Sequence, residues 1–345
     1  TPTPVARGPR RGGTITRAVI TNPPTFDINQ TGGAPVFEVI GLTHNGLFYH
    51  DAELSNVKDL VESWEQPNDT TYVFRLKSGV RFRNVPPVSG REITAEDVVT
   101  DFRRKRQEFP GLPPMNVIVR TWFEPIKSMQ ATDRYTVRVE TKEPYAPLLT
   151  YLAHPYTVIY PRESYVGDRG PAYDIAKVPI GTGPFILKSF TPNVEFTLER
   201  NPDYFEKELP YLDSIRGVIL PDSATRLAAF RAGRVDLIQG EKAQWDAVRK
   251  TVPNVVGVKR REFHNALFMN PKKKPFDDVR VRQAVSLCLD REALIQFVVD
   301  GDGDLAGIPT LRAGFFLPKE ELARLYKRDV ARAKRLLAEA GLPQG

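Results

Sequence analysis

The stretch Pro179–Phe205, PIGTGPFILKSFTPNVEFTLERNPDYF, decides how the rest of the chain is read. Gly181, Gly183 and Pro184 punctuate a turn, and two strands follow, Phe185 to Phe190 and Glu195 to Glu199, joined through Thr191 to Asn193. Phe196 and Leu198 alternate with polar and charged neighbours, so one face of the second strand is buried and the other solvated. The local reading is a β-hairpin.

Working outward, Ile215, Val218 and Leu220 suggest a strand, and Leu227, Ala228, Phe230 and Arg231 a helix ended by Gly233. Val235 to Ile238 then reads as a short buried strand, which completes a strand–helix–strand unit. Upstream, Thr14 to Thr21 is expected to be a first strand that runs into a proline-rich loop closing at Gly32 and Gly33. Ala34 to Phe48 follows as a helix with Val36, Val39, Ile40 and Thr43 at helical spacing. Asn68 and Asp69 make a turn before Tyr72, Phe74 and Leu76, which alternate with polar positions as in a half-buried strand. Thr94 with Asp97 is a capping-box variant, and Ala95, Val98, Val99 and Phe102 form one apolar helical stripe. Phe123 to Thr141 repeats the strand–turn–strand theme around Thr132 and Asp133, a helix follows Pro144, and Trp122, beside a loop, is read as a core or interface aromatic ahead of the alternative that it lines a pocket. Farther on, Asp277 or Asp278 caps a helix whose buried stripe is Val281, Ala284, Val285 and Cys288. Asp290 caps the next helix, and a last one carries Ala333, Leu336, Leu337 and Ala340 before the Gly341 and Pro343 stop.

Composition bounds the function. The 345 residues suit two or three domains, and 41% apolar content is ample to build their cores. A single cysteine, Cys288, excludes an intramolecular disulfide and a cysteine-rich metal site, and its place on an apolar stripe reads as core. The net charge of +7 comes from 49 basic and 42 acidic residues that are intermixed. The basic clusters at Arg103 to Arg106, Lys259 to Arg261 and Lys272 to Lys274 lack interleaved aromatics, which argues against a nucleic-acid surface. The longest weakly polar run, Leu148 to Tyr160, is shorter than a membrane span and contains Pro155. The alternating carboxylates Asp300, Asp302 and Asp304 place Leu305 and Leu311 where a calcium-binding EF-hand loop needs Gly and Glu, so the run reads as a plain loop. His44, His50, His154 and His264 have no metal-ligand spacing, and neither a GxSxG elbow nor a P-loop occurs.

Three strings, GGTITRAVITNPPTFDINQTGG with GTGPF…RNPDYF, then DLVESWEQPNDTTYVFRLKSGVRF with ITAEDVVTDFRR, then FHNALFMN with PFDDVRVRQAVSLCLDREALI, occur in the order that resembles the bacterial family 5 extracellular solute-binding proteins. One departure is that Ile28 and Asn29 follow Asp27 where the family's PPTFDP-type loop has a proline. The resemblance implies an α/β, periplasmic-binding-protein-like fold (type II, cluster C-like) with mixed sheets, an inserted second domain and a partial third domain. Its expected divisions are a disordered tether over 1–12, a discontinuous main lobe over 13–43 and 175–262, the inserted domain over 44–174, and the start of a third domain over 263–345. It also implies a signal peptide or lipoprotein leader upstream of Thr1, and a family pattern of which this chain carries only the earlier portion.

The function implied is noncatalytic capture of a peptide or similar small solute, without a cofactor, by a periplasmic or extracellular monomer, lipid-anchored before processing, that delivers it to ABC permease subunits. The resemblance places the ligand cleft between the main lobe and the third domain, with the inserted domain away from most contacts. Peptide held partly as an added strand makes Thr31, Gly32, Gly33, Trp245, Phe268 and Asn270 the candidate contacts. A surface aromatic packed on its own helix is the competing reading of Trp245. Two other functional classes stay open at this stage, a peptide-acting hydrolase and a truncated, nonbinding interaction protein.

Overall fold

The computed structural model describes residues 8–31, 33–167, 170–258, 266–305 and 317–344. They divide into two compact units, one ending at Gln239 and one beginning at Gly240.

The first unit contains two four-stranded sheets. In the first sheet the order is Thr14–Val19, Ser214–Ile219, Glu195–Arg200, Phe185–Thr191. Thr14–Val19 lies parallel to Ser214–Ile219 and the other pairs are antiparallel, so the sheet is mixed. The hairpin read from Phe185 and Glu195 is present, its register running from Phe185 opposite Arg200 to Thr191 opposite Glu195. The second sheet, ordered Val61–Asn68, Thr71–Leu76, Thr136–Thr141, Ile126–Ala131, is wholly antiparallel. All of its strands fall in the stretch of chain that separates the first strand of the first sheet from the other three. Its turn chemistry is as expected from Asn68, whose side chain accepts from the Thr70 amide at 3.1 Å.

Each sheet has its own apolar core. Phe196, Leu198 and Ile215 pack with Ile28, Val39, Ile40 and Tyr160 on the first. Phe74, Val137 and Val139 pack with Val98, Phe102 and Phe123 on the second. The helix Ala95–Lys105 supplies that second set from the stripe its spacing predicts, and the Asp97 carboxylate accepts from the Thr94 amide at 2.9 Å. The helix Ser223–Arg231 stops as predicted at Gly233 (φ 65°): Gly233 N–H donates to the Phe230 carbonyl and Arg234 N–H to that of Ala229, the paired bonds of a Schellman motif.

Four readings in the first unit are corrected. The helix expected over Ala34 to Phe48 ends at Thr43, because the Thr43 carbonyl accepts from the Gly183 amide at 2.9 Å and His44 turns to an extended conformation. The first strand ends at Val19 rather than Thr21. Phe123 closes a helix, Val117–Phe123, and the strand begins only at Ile126, beyond Pro125. Val235 to Ile238 makes a single bridge, Leu237 to Arg17, since the Asp236 carboxylate takes the Thr16 amide at 2.7 Å in place of a backbone partner.

In the second unit the described residues form the helices Lys242–Thr251, Val279–Cys288, Arg291–Val298, Lys319–Leu325 and Val330–Glu339. Asp278 and Asp290 cap the helices assigned to them, accepting from the Arg280 and Ala293 amides. Val279–Cys288 packs against Val330–Glu339 through Val281, Ala284 and Ala333. Cys288 is exposed, a correction to the buried reading. It is the last residue of its helix, and burial there stops at Ala284.

Candidate functional site

The chain enters the second sheet's region at Thr43–Asn45 and returns at Gly181–Gly183, and the two crossings lie directly on one another. A Cβ on Gly181 would stand 2.2 Å from the Thr43 carbonyl oxygen, and one on Gly183 2.4 Å from the Thr43 carbonyl carbon, distances no side chain tolerates. Between the glycines, the Thr182 hydroxyl donates to Asn45 Oδ1 (3.0 Å), and Asn45 Nδ2 donates to the buried Asp59 carboxylate (2.8 Å), which also accepts from the Gly46 amide (3.0 Å). Burial pushes the Asp59 carboxyl up to about 7, against the opposing pull of those hydrogen bonds. The GTG string is therefore a seam that fastens the two crossings.

The loop ahead of the first candidate contacts is fixed on several sides. The Phe26 amide donates to the Ala176 carbonyl (3.0 Å), and Tyr160 OH donates to the Phe26 carbonyl (2.7 Å) while accepting from the Ile28 amide (3.2 Å). Asp27 closes the turn on itself through the Asn29 amide (2.9 Å) and Gln30 Nε2 (2.7 Å). Asn29, which stands just beyond the missing family proline, donates through Nδ2 to Tyr165 OH (3.0 Å) and accepts at its carbonyl from the Asn116 amide (2.7 Å).

Beneath the loop lies a buried charge cluster. Lys105 pairs with Asp101, Tyr165 OH donates to Asp101 (2.7 Å), and Lys105 donates to the Val158 carbonyl (3.1 Å). Burial raises the Asp101 carboxyl and lowers the Lys105 amine, and each partner's charge opposes the shift of the other. The ionised pair is the state in which both Asp101 oxygens and the Lys105 amine find partners. Burial also holds the Tyr160 and Tyr165 phenols protonated, as their donor roles require. A pocket of about 390 Å³ opens beside this cluster, lined by Asp27, Gln30, Arg104, Tyr165, Tyr173 and Asp174 among others.

Of the candidate contacts, Thr31 and Gly33 follow this anchored loop and lead into the helix Ala34–Thr43, and Gly33 adopts φ 153°, ψ 162°, a backbone open to glycine. Among the described residues no hydrogen bond engages the Thr31 backbone. Gly32 lies outside the described residues, as does His264. In the second unit, Trp245 lies on the helix Lys242–Thr251, and its ring packs on Gly257, where an added Cβ would meet it at 2.6 Å. Phe268 is 86% exposed, and Asn270 Oδ1 accepts from the Lys272 amide at 2.9 Å. In the segment expected as a tether, residues 1–7 lie outside the described residues, and Arg11 pairs with Glu208. Sequence reasoning missed the anchoring set, Tyr160, Tyr165 and Asn116, because the partners lie 132 and 136 residues away for the two tyrosines. Among the described residues no group of three or more His, Cys, Asp or Glu is placed to hold a metal ion, and no helix is long and apolar enough to cross a membrane.

Against known proteins, residues 56–345 match the family described as bacterial extracellular solute-binding proteins, family 5 Middle. Heme-binding protein A of Haemophilus influenzae is 32% identical over 299 residues, a match covering 83% of this chain and 54% of that protein. The oligopeptide-binding protein AppA of Bacillus subtilis is 27% identical over 340 residues, covering 96% of this chain and 60% of that protein. The chain thus spans little more than half the length of these curated relatives. Among solved structures, the periplasmic binding protein DppA from Helicobacter pylori in complex with peptide STSA superimposes with a TM-score of 0.82 at 26% identity, covering 97% of this chain and 67% of that one. The fold is the mixed α/β, periplasmic-binding-protein-like type II (cluster C-like) architecture expected from the signatures. With the family match running across both compact units, this chain belongs to the bacterial extracellular solute-binding proteins of family 5.

Proposed function

We propose that the protein captures a peptide or similar small solute outside the cytoplasm, in the periplasm or at the cell surface, for delivery to the membrane subunits of an ABC importer. The observation that carries this reading is the anchored loop from Phe26 to Asn29, which leads to Thr31, a residue whose backbone no hydrogen bond engages among the described residues. A preorganised backbone of this kind suits a ligand main chain that adds as a strand. Likeness to a binding protein solved with a peptide supports the ligand class. Thr31, Gly32 and Gly33 from the first unit, and Trp245, Phe268 and Asn270 from the second, are the proposed contacts. The main lobe over 13–43 and 175–262, the inserted domain over 44–174 and a third domain from 263 belong to the same proposal, as do a monomeric state and a lipid anchor before processing.

Capture implies that the ligand leaves unchanged. Isothermal titration with a defined pool of di- to pentapeptides, followed by mass spectrometry of the recovered pool, tests this. Saturable heat with intact peptides is expected. Time-dependent cleavage that copurifies with the protein would establish the hydrolase reading instead, and absence of heat up to millimolar peptide would remove the peptide class.

A further inference from the structure

The basic run Arg103–Arg106 is not a uniform charged face. Arg103 and Arg106 pair with Glu108, and Lys105 pairs with the buried Asp101. Arg104 differs. It is 1% exposed, its Nη2 donates to the Pro113 carbonyl at 2.7 Å, and its Nη1 finds no acceptor. Among the described residues no carboxylate pairs with it, although an arginine is rarely buried without a counter-charge. Arg104 also forms part of the wall of the pocket of about 390 Å³, together with the buried Tyr165 and Ile175 and the half-buried Leu112 and Tyr173. The other polar groups on that wall are engaged. Asp27 accepts from the Asn29 amide and Gln30 Nε2, Tyr165 OH donates to Asp101, and Tyr173 OH and Ser164 Oγ share a hydrogen bond of 2.6 Å. Asp174 accepts from the Ala176 amide and pairs with Lys177. The pocket thus joins one unmatched cation to a set of rings and aliphatic side chains.

We infer that this pocket is a second binding site, for a small organic monocarboxylate with an apolar or aromatic body, its carboxylate paired with Arg104 and its body lying against Leu112, Tyr173 and Ile175. Charge selects this class from both sides. A carboxylate supplies the counter-charge that the described residues do not, in a bond stronger than the neutral one to the Pro113 carbonyl. Asp27, 4% exposed on the same wall, opposes a second negative charge and so disfavours dicarboxylates and phosphate dianions. None of the six contacts proposed for the peptide lines this pocket, so the two sites stand or fall separately.

Titration calorimetry of the 345-residue protein with phenylacetate, phenylacetamide and the phenyl phosphate dianion tests the site. Phenylacetate should bind about tenfold more tightly than the neutral amide, the advantage of a charge-assisted bond, and more tightly than the dianion. Arg104→Met replaces the buried charge with an apolar side chain, a change that proteins tolerate, and should bring the ratio of phenylacetate to phenylacetamide affinity close to one. Leu112→Glu puts a carboxylate on the pocket wall at a half-buried position and should abolish phenylacetate binding while leaving the urea midpoint near that of the wild type. Absence of phenylacetate binding up to millimolar concentration would show that water alone satisfies Arg104, and it overturns the site. Equal affinity for phenylacetamide, or a preference that survives in Arg104→Met, does the same. Phenyl phosphate binding as tightly as phenylacetate overturns the monocarboxylate class. If Arg104→Met does not fold, Leu112→Glu decides alone, and unchanged phenylacetate binding there refutes the assignment.

Discussion

Gly181→Ala adds one methyl group at the seam between the two chain crossings, and its cost follows from geometry. The new Cβ would lie 2.2 Å from the Thr43 carbonyl oxygen, whereas ordinary van der Waals contact begins at 3.4 Å, so the crossings must part by about an ångström. The obstacle is the Thr43 carbonyl together with the buried His44 ring, whose Cγ would lie 2.5 Å from the new methyl, and neither is the free end of a flexible side chain. Overpacking of a filled site costs roughly 1–3 kcal/mol. Separation also strains the 2.9 Å bonds from Gly183 N–H to the Thr43 carbonyl and from Arg83 N–H to the Gly181 carbonyl, each contributing about 1 kcal/mol. A loss of about 3–5 kcal/mol is therefore expected, read as a fall in the urea midpoint at constant slope. Gly41→Ala is the matched control. Gly41 is an exposed residue within the helix Ala34–Thr43, a Cβ there meets nothing within 4 Å, and alanine should stabilise the helix by about 0.5–1 kcal/mol. The same chemical change thus has opposite signs at two positions. A Gly181→Ala protein as stable as the wild type would show that the crossings do not touch as described.

Two further outcomes follow. The folded-state pKa of Asp59 is raised by burial from 3.8 to about 7, so folding takes up a proton there and this contribution to stability is lost as pH rises through that window. Measured by urea unfolding, the stability of Asp59→Asn relative to wild type should grow by up to about 1.4 kcal/mol per pH unit between roughly pH 4 and 7, and a pH-independent difference would contradict it. Lys105→Met leaves Asp101 buried without its cation and should cost about 3–5 kcal/mol, while the double change with Asp101→Leu recovers much of that loss; equal single and double variants would mean the pair is not coupled.

Periodicity carried the elements well wherever one apolar face meets one core. The alternation at Tyr72, Phe74 and Leu76 and the stripe at Ala95, Val98, Val99 and Phe102 appear in the structure as read, because each pattern faces a single core. The same logic failed at Cys288, since a helical stripe shows which face is apolar but not how deeply each position on it is covered: the start of the partner helix reaches this end, its Asp329 amide donating to the Leu287 carbonyl, yet it leaves the thiol exposed. The Thr43 stop was illegible for another reason. What ends the helix is an amide from Gly183, supplied by a segment far along the chain, and local propensity has no access to it. Trp122, read as a core or interface aromatic, does pack against the second core, but its ring partners, Tyr151 stacked on it and Tyr156 edge-on, lie too far along the chain for any local pattern to name them.

The residues that make the chain recognisable and those that decide what it holds answer to different physics. Gly181 and Gly183 are restricted by contacts that tolerate no added atom, Thr182 by its hydrogen bond to Asn45, and Asp27 by the turn it closes. Such positions report the architecture, and they remain informative even where the ligand differs. The two relatives compared above are named for different ligands, heme and oligopeptides, at similar identity to this chain. Phe268, one of the proposed contacts, is 86% exposed and meets no such restriction. A change at such a position leaves the seam undisturbed, so the signature strings assign the family far more firmly than they assign the solute.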